Sequence, residues 1–169
     1  MNKVIHKPVL IVIAGPNGSG KTSVTSKILH HEWMEDSMDA IMQAAKYSED
    51  LREQCLLEHK SLIFETVLSA KDKVDYICRA IHAGFFVRLF FVCTASPTIN
   101  ASRIANRVME GGHDVPIPKI ISRYHKSLLN CCLVSKLADR TYIYDNSIEN
   151  SDATLLFRLT KGQLAKQYV

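Results

Sequence analysis

The chain has 169 residues, of which 47% are hydrophobic and 22% charged, values that suit a folded domain and exclude disordered, collagen-like and coiled-coil classes. Its 21 Lys and Arg against 17 Asp and Glu leave a formal charge of +4, which an anionic small ligand accounts for and which does not call for nucleic acid. With seven Gly and five Pro there is little material for a linker, so residues 1–169 are expected to form a single domain.

In chain order, Val9–Ile13 is a β-branched run that stops at a Gly/Pro/Asn cluster, the pattern of a fully buried, central strand running into a turn. Helical periodicity follows from Lys21 to about His31, and again from about Met38 to Lys60, with Ile41, Met42, Ala45, Leu51, Cys55 and Leu56 on the apolar stripe. Leu62–Phe64 predicts a second buried strand ending at Glu65. A helix with Val74, Ile77, Cys78 and Ile81 inward then closes at Gly84. Phe85–Cys93 predicts the third strand, and Ser96-Pro97 supplies an N-cap and a first-position proline for a helix that carries Arg103 and Arg107 and ends at Gly111-Gly112. Pro118 opens another helix, with Ile120, Ile121, Tyr124 and Leu128 on its apolar side, extending towards Lys136. Short strands are predicted at Thr141–Tyr144 and Leu155–Leu159. Strands alternating with helices imply an α/β fold, three layers deep, with a mostly parallel sheet of about five strands.

The apolar run at Val9–Ala14 is far shorter than a membrane span or a signal-peptide core, so a cytoplasmic protein without membrane contact is expected. The cysteines, at 55, 78, 93, 131 and 132, are odd in number and lack CxxC spacing, which predicts reduced thiols buried in the core.

Gly15-Pro16-Asn17-Gly18-Ser19-Gly20-Lys21-Thr22 fits G-x-x-x-x-G-K-[ST] and lies directly between a strand and a helix, as a phosphate-binding loop must. Glycines let the backbone wrap with N–H groups turned inward, and the helix adds the positive end of its dipole. Lys21 is expected against the β- and γ-phosphates, and Thr22 is expected to place its hydroxyl on Mg²⁺. Residues 15–22 together with Ser23 form the candidate ATP-binding set.

Phosphoryl transfer also needs a carboxylate and further cations. Glu65 ends a buried strand, where open α/β sheets bind ligands, and can hold a metal-bound water or an acceptor hydroxyl; Thr66 and Ser69 add hydroxyls in the same mouth. Arg103 and Arg107 are four apart on one helix face, and Arg123 follows the Gly112-His113-Asp114-Val115-Pro116 loop; all three are candidates to converge on triphosphate, Arg107 and Arg123 ahead of Arg103. That loop reads equally as a hinge and as a plain connector. Asp145-Asn146-Ser147 ends a strand on the same edge, open to base contact or strand capping.

The chain resembles the zeta-toxin family of P-loop kinases. The resemblance rests on Ile13–Thr22, Phe64–Ser69, Arg107 with Gly111–Pro116, Ile121–Tyr124 and Tyr144–Ser147, and spans about residues 8 to 147. It implies an ATP- and Mg²⁺-dependent kinase that phosphorylates a small-molecule hydroxyl, a UDP-linked amino sugar in zeta toxins proper, and that is held inactive by an antitoxin protein. It places Glu65 at the acceptor or metal and Arg107 and Arg123 as phosphate ligands, so that Lys21, Glu65, Arg107 and Arg123 form the expected catalytic set. One departure is visible. Where the family has a short strand carrying an Asn-x-Asp motif with the catalytic base, residues 30–42 offer Glu35, Asp36 and Asp39 without an apolar strand leading to them. Asp36 and Asp39 stand as candidate bases and equally as ordinary helix-start acids. The alternative function is a nucleotide-binding module or slow ATPase switch without acceptor phosphorylation.

Overall fold

Alternation of side chains along the first strand sets the layering of the whole molecule. The computed structural model of the chain describes residues 7–29, 49–112 and 114–169. Val9–Ala14 forms strand β1 and Lys21–Leu29 helix α1, followed by α2 at Glu49–Leu57, β2 at Leu62–Thr66, α3 at Lys71–His82 and β3 at Phe86–Cys93. Pro97–Met109 is α4, Ile117–Leu137 is α5, and Arg140–Asp145, Thr154–Thr160 and Gln163–Gln167 are β4, β5 and β6. Leu10, Val12 and Ala14 of β1 face one way and pack with Cys55 and Leu56 of α2, Tyr76, Ile77 and Ala80 of α3, and Cys131 and Val134 of α5. Ile11 and Ile13 face the other way, against Val24 of α1, with Ile63, Phe90 and Val92 beside them. Both faces of the parallel strands are therefore covered. Each large side chain so enclosed contributes about 1.5–3 kcal/mol.

The strand order is β2-β1-β3-β4-β5-β6, with β2, β1, β3 and β4 mutually parallel and the last two strands antiparallel. β1 is interior, as expected, though it lies second from one edge of the described sheet. Among the described residues the sheet has six strands where about five were expected. Lys161 and Gly162, at φ 50° and 78°, make the two-residue turn with positive φ that suits the twist of a hairpin, and Gln163 pairs with Thr160 across it. β6 escapes the sequence reading because its five residues are all exposed and show no apolar alternation.

Helix ends follow the local chemistry. Gly84 (φ 86°) terminates α3 with its N–H on Ile81 O and the Phe85 N–H on Ala80 O. Gly111 (φ 93°) does the same for α4, with its own N–H on Val108 O and that of Gly112 on Arg107 O. Ser96 caps the N-terminus of α4, its hydroxyl accepting from the Thr98 N–H at 3.0 Å, with Pro97 next in line. Of the helix expected from Met38 to Lys60, residues 49–60 are described, and the helix ends at Leu57 rather than Lys60 because His59 turns to φ 52° and the Lys60 N–H closes on Cys55 O; Ile41, Met42 and Ala45, with Glu35, Asp36 and Asp39, lie outside the described residues. Ile121 is exposed, whereas Ile120 and Tyr124 are buried and Leu128 half-buried, because the inward face of α5 follows positions 120, 124, 127, 131 and 134.

The cysteines correct one expectation. Cys55 and Cys131 are buried and Cys78 and Cys93 half-buried, but Cys132 is exposed, one residue round the helix from Cys131; all five are free thiols. Among the described residues no helix is long and apolar enough to cross a membrane.

Candidate active site

The four parallel strands end on one edge of the sheet, at Ala14, Thr66, Cys93 and Asp145. Open α/β sheets gather their ligand-binding loops along this edge. A cleft of about 1210 Å³ opens there, and Lys21, Thr22, Glu65, Arg103, Arg107 and Asn146 all contribute to its walls.

From β1 the chain passes into the glycine-rich loop at residues 15–20, and α1 begins at Lys21. The loop departs from ordinary backbone at Gly18 (φ 79°) and Gly20 (φ 84°), where a side chain would be strained. Space is also absent: a Cβ on Gly18 would come 2.7 Å from Asn100 O, and one on Gly20 2.1 Å from Asn146 Nδ2. The Lys21 ammonium donates to Gly15 O at 2.9 Å and Pro16 O at 3.2 Å. Burial lowers its pKa; the nearby Glu65 carboxylate opposes that shift and the Arg107 guanidinium adds to it. Thr22 and Ser23, in the first turn of α1, are exposed to the cleft.

Glu65 pairs in register with Ile13 at the end of β2, and its carboxylate is exposed. Thr25 donates its hydroxyl to Lys21 O at 3.0 Å and lies 3.5 Å from Glu65 Oε2, so the first turn of α1 and the end of β2 meet beside the loop. Thr66 lines the cleft, but its hydroxyl accepts the Leu68 N–H at 3.1 Å and holds the turn at Leu68 (φ 58°); Ser69 does not reach the cleft wall. Arg107 reaches the cleft from α4, one turn beyond Arg103. Arg103 donates to Gly18 O at 3.4 Å and therefore braces the loop itself. Arg123, half-buried on α5, does not line the cleft, because the buried side of that helix at this turn belongs to Tyr124, whose hydroxyl donates to Thr94 O at 2.5 Å. His113 lies outside the described residues and Asp114 is exposed.

Asp145 resolves towards strand capping. Its Oδ1 accepts the Ser147 N–H at 3.1 Å and the Ser147 hydroxyl, while Ser147 Oγ accepts the Ala95 N–H at 2.7 Å. Asn146 does something the sequence left open: its Nδ2 donates to Ser19 O at 2.8 Å. Asn100 was not singled out by its surroundings, yet it is fully buried and donates through Nδ2 to Asn17 O at 2.6 Å. Tyr144 and residues 148–153 also line the cleft, and Lys27 of α1 forms an exposed ion pair of 2.5 Å with Asp152.

The chain has a three-layer α/β fold whose mostly parallel sheet carries the Gly15–Thr22 loop at its ligand edge, with Glu65 at the end of the neighbouring strand β2 and Arg103 and Arg107 on α4. Among solved structures, the crystal structure of a complex of AvrRxo1-ORF1 and AvrRxo1-ORF2 is similar, with TM-score 0.61 and 14% identity, over 94% of this chain and 60% of that one. The same complex solved with ATP gives the same values. The PezAT toxin-antitoxin system of Streptococcus pneumoniae matches with TM-score 0.59 and 16% identity, over 92% of this chain and 72% of the other. This chain thus spans 60% of the length of the AvrRxo1 complex chain it matches. No protein-family model and no curated protein sequence matches it.

Proposed function

We propose that the chain binds ATP with Mg²⁺ and transfers the γ-phosphoryl group to a hydroxyl of a small molecule, with a nucleotide sugar the first acceptor class to test. The observation that carries this reading is the convergence of Lys21, Thr22, Glu65 and Arg107 on one cleft beside the glycine loop. At about 1210 Å³ the cleft exceeds the roughly 300–1,000 Å³ usual for one small ligand, which supports a nucleotide and an acceptor side by side.

In this reading the loop amides and the α1 N-terminus hold the β- and γ-phosphates. Lys21 exchanges its two backbone carbonyls for phosphate oxygens, and the wall at Tyr144 and residues 148–153 takes the nucleoside. Thr22 offers an exposed hydroxyl and Glu65 an exposed carboxylate on the same cleft. That donor set fits Mg²⁺, which keeps waters and takes few protein oxygens beside the substrate phosphates. When bound, the ion supplies charge neutralisation on the phosphate oxygens. Arg107 stabilises negative charge growing on the transferred group, and Glu65 holds and orients the acceptor hydroxyl. Asp36 and Asp39, candidate bases, lie outside the described residues. An antitoxin partner belongs to the same proposal, supported by the similarity in fold to the PezAT toxin-antitoxin structure.

The test is incubation with γ-labelled ATP, Mg²⁺ and a panel of small hydroxyl acceptors that includes UDP-sugars. Label on an acceptor is the expected result, and it should vanish with Lys21→Ala. Label released only as inorganic phosphate would replace the kinase with an ATPase switch.

A further inference from the structure

The phosphate loop is gripped along its whole outer side. Each carbonyl from Gly15 to Ser19 has a side-chain donor: Lys21 Nζ on Gly15 and Pro16, Asn100 Nδ2 on Asn17, Arg103 Nη1 on Gly18 and Asn146 Nδ2 on Ser19. Within a planar trans peptide the C=O and N–H point in opposite directions, so holding the carbonyl of one residue outward aims the N–H of the next residue inward. Asn100 thereby sets the Gly18 N–H, and Asn146 sets the Gly20 N–H. Neither amide has an acceptor among the described residues, whereas the Ser19 N–H, set by Arg103, is already used on Pro16 O at 3.2 Å.

The geometry points to Asn100 and Asn146 as positioning residues that hold the Gly18 and Gly20 amides ready for a polyphosphate. This rests on the nucleotide-binding reading and names the residues that preorganise its anion site. Lys21 cannot serve the same end once it moves to a phosphate, so the two asparagines, with Arg103, are the holds that persist in the bound state. Both are themselves anchored. The Thr94 hydroxyl donates to Asn100 Oδ1, and Thr94 O receives the Tyr124 hydroxyl at 2.5 Å. The Asn146 N–H is fixed on Cys93 O at 2.8 Å, at the end of β3. The glycines at 18 and 20 complete the arrangement, since only a missing Cβ lets Asn100 O and Asn146 Nδ2 come so near.

Titration calorimetry of the wild type, Asn146→Ala, Asn146→Asp and Asn100→Asp, with MgATP and separately with inorganic tripolyphosphate, tests the assignment. One lost hold is expected to weaken both probes by about three- to tenfold, because each amide loses its aim and the nucleoside wall is untouched. Asn146→Asp keeps the shape but has no donor and adds a negative charge, so it should lose more than Asn146→Ala, the reverse of what a space-filling role gives. Wild-type affinity in a folded Asn146→Ala, or a loss for ATP without one for tripolyphosphate, overturns the inference. Should buried Asn100→Asp not fold, as judged by circular dichroism, the half-buried Asn146 variants decide. Failure of the wild type to bind either probe defeats the nucleotide reading itself and takes the inference with it.

Discussion

Replacement of Gly20 by alanine tests the loop geometry in a way that can be worked through in numbers. At φ 84° a residue with a Cβ pays about 1–2 kcal/mol for left-handed backbone. The new methyl would also sit 2.1 Å from Asn146 Nδ2, so the amide must swing off Ser19 O, and that lost hydrogen bond adds about 1 kcal/mol. The expected destabilisation is about 2–3 kcal/mol in the wild type. In an Asn146→Ala background the contact and the bond are already gone, and only the backbone strain of about 1–2 kcal/mol remains. The cycle therefore predicts a coupling of about 1 kcal/mol between two residues that are far apart in sequence. Urea unfolding of the four proteins, followed by circular dichroism, measures it. Equal cost of Gly20→Ala in both backgrounds would refute the claimed contact.

Four further outcomes are expected. Lys21→Met should reduce ATP affinity at least about a hundredfold at neutral pH, a loss of about 2.7 kcal/mol or more, measured by calorimetry. Because burial depresses the Lys21 pKa below 10.5, the folded protein releases that proton before the unfolded chain does; between the two values stability should rise with pH relative to Lys21→Met, while ATP affinity falls. Ile77→Ala, at a fully buried position in α3, should cost about 2–5 kcal/mol by urea unfolding, and a cost below about 1 kcal/mol would contradict the packing described. In native protein at pH 8 a thiol reagent should modify exposed Cys132 rapidly and spare Cys93, since burial pushes the Cys93 thiol up to about 11 and leaves about one molecule in a thousand as thiolate, with Asp145 adding to the shift; peptide mapping by mass spectrometry reads this out.

Features written in adjacent residues were legible in the sequence. The phosphate loop, the Ser96-Pro97 start of α4 and the glycine ends of α3 and α4 each depend on backbone chemistry within a few positions, and all are where the pattern placed them. Glu65 and Arg107 line the cleft, and their placement is legible because strand ends and helix faces are also local facts. What escaped depends on distance. Asn100 meets Asn17 across 83 residues with nothing beside it to announce the meeting, and Asn146, though its strand end marks the ligand edge, meets Ser19 across 127. Arg123 lies off the cleft wall for the matching reason: its helix is legible locally, but the helix orientation is set by packing of Tyr124 and Ile120 against the rest of the fold. β6 was missed because a strand exposed along its length carries no apolar period.

That outermost strand bears on how the molecule behaves in concentrated solution. Among the described residues one side of β6 has no neighbouring strand, the sort of template on which another molecule could extend the ladder. The run is only five residues long, Lys166 stands in it, and the pairing behind it shifts register between Arg158 and Leu159, which increases local twist. Shortness, charge and twist together oppose fibrillar self-addition, and neutralising Lys166 removes one of these three guards against aggregation.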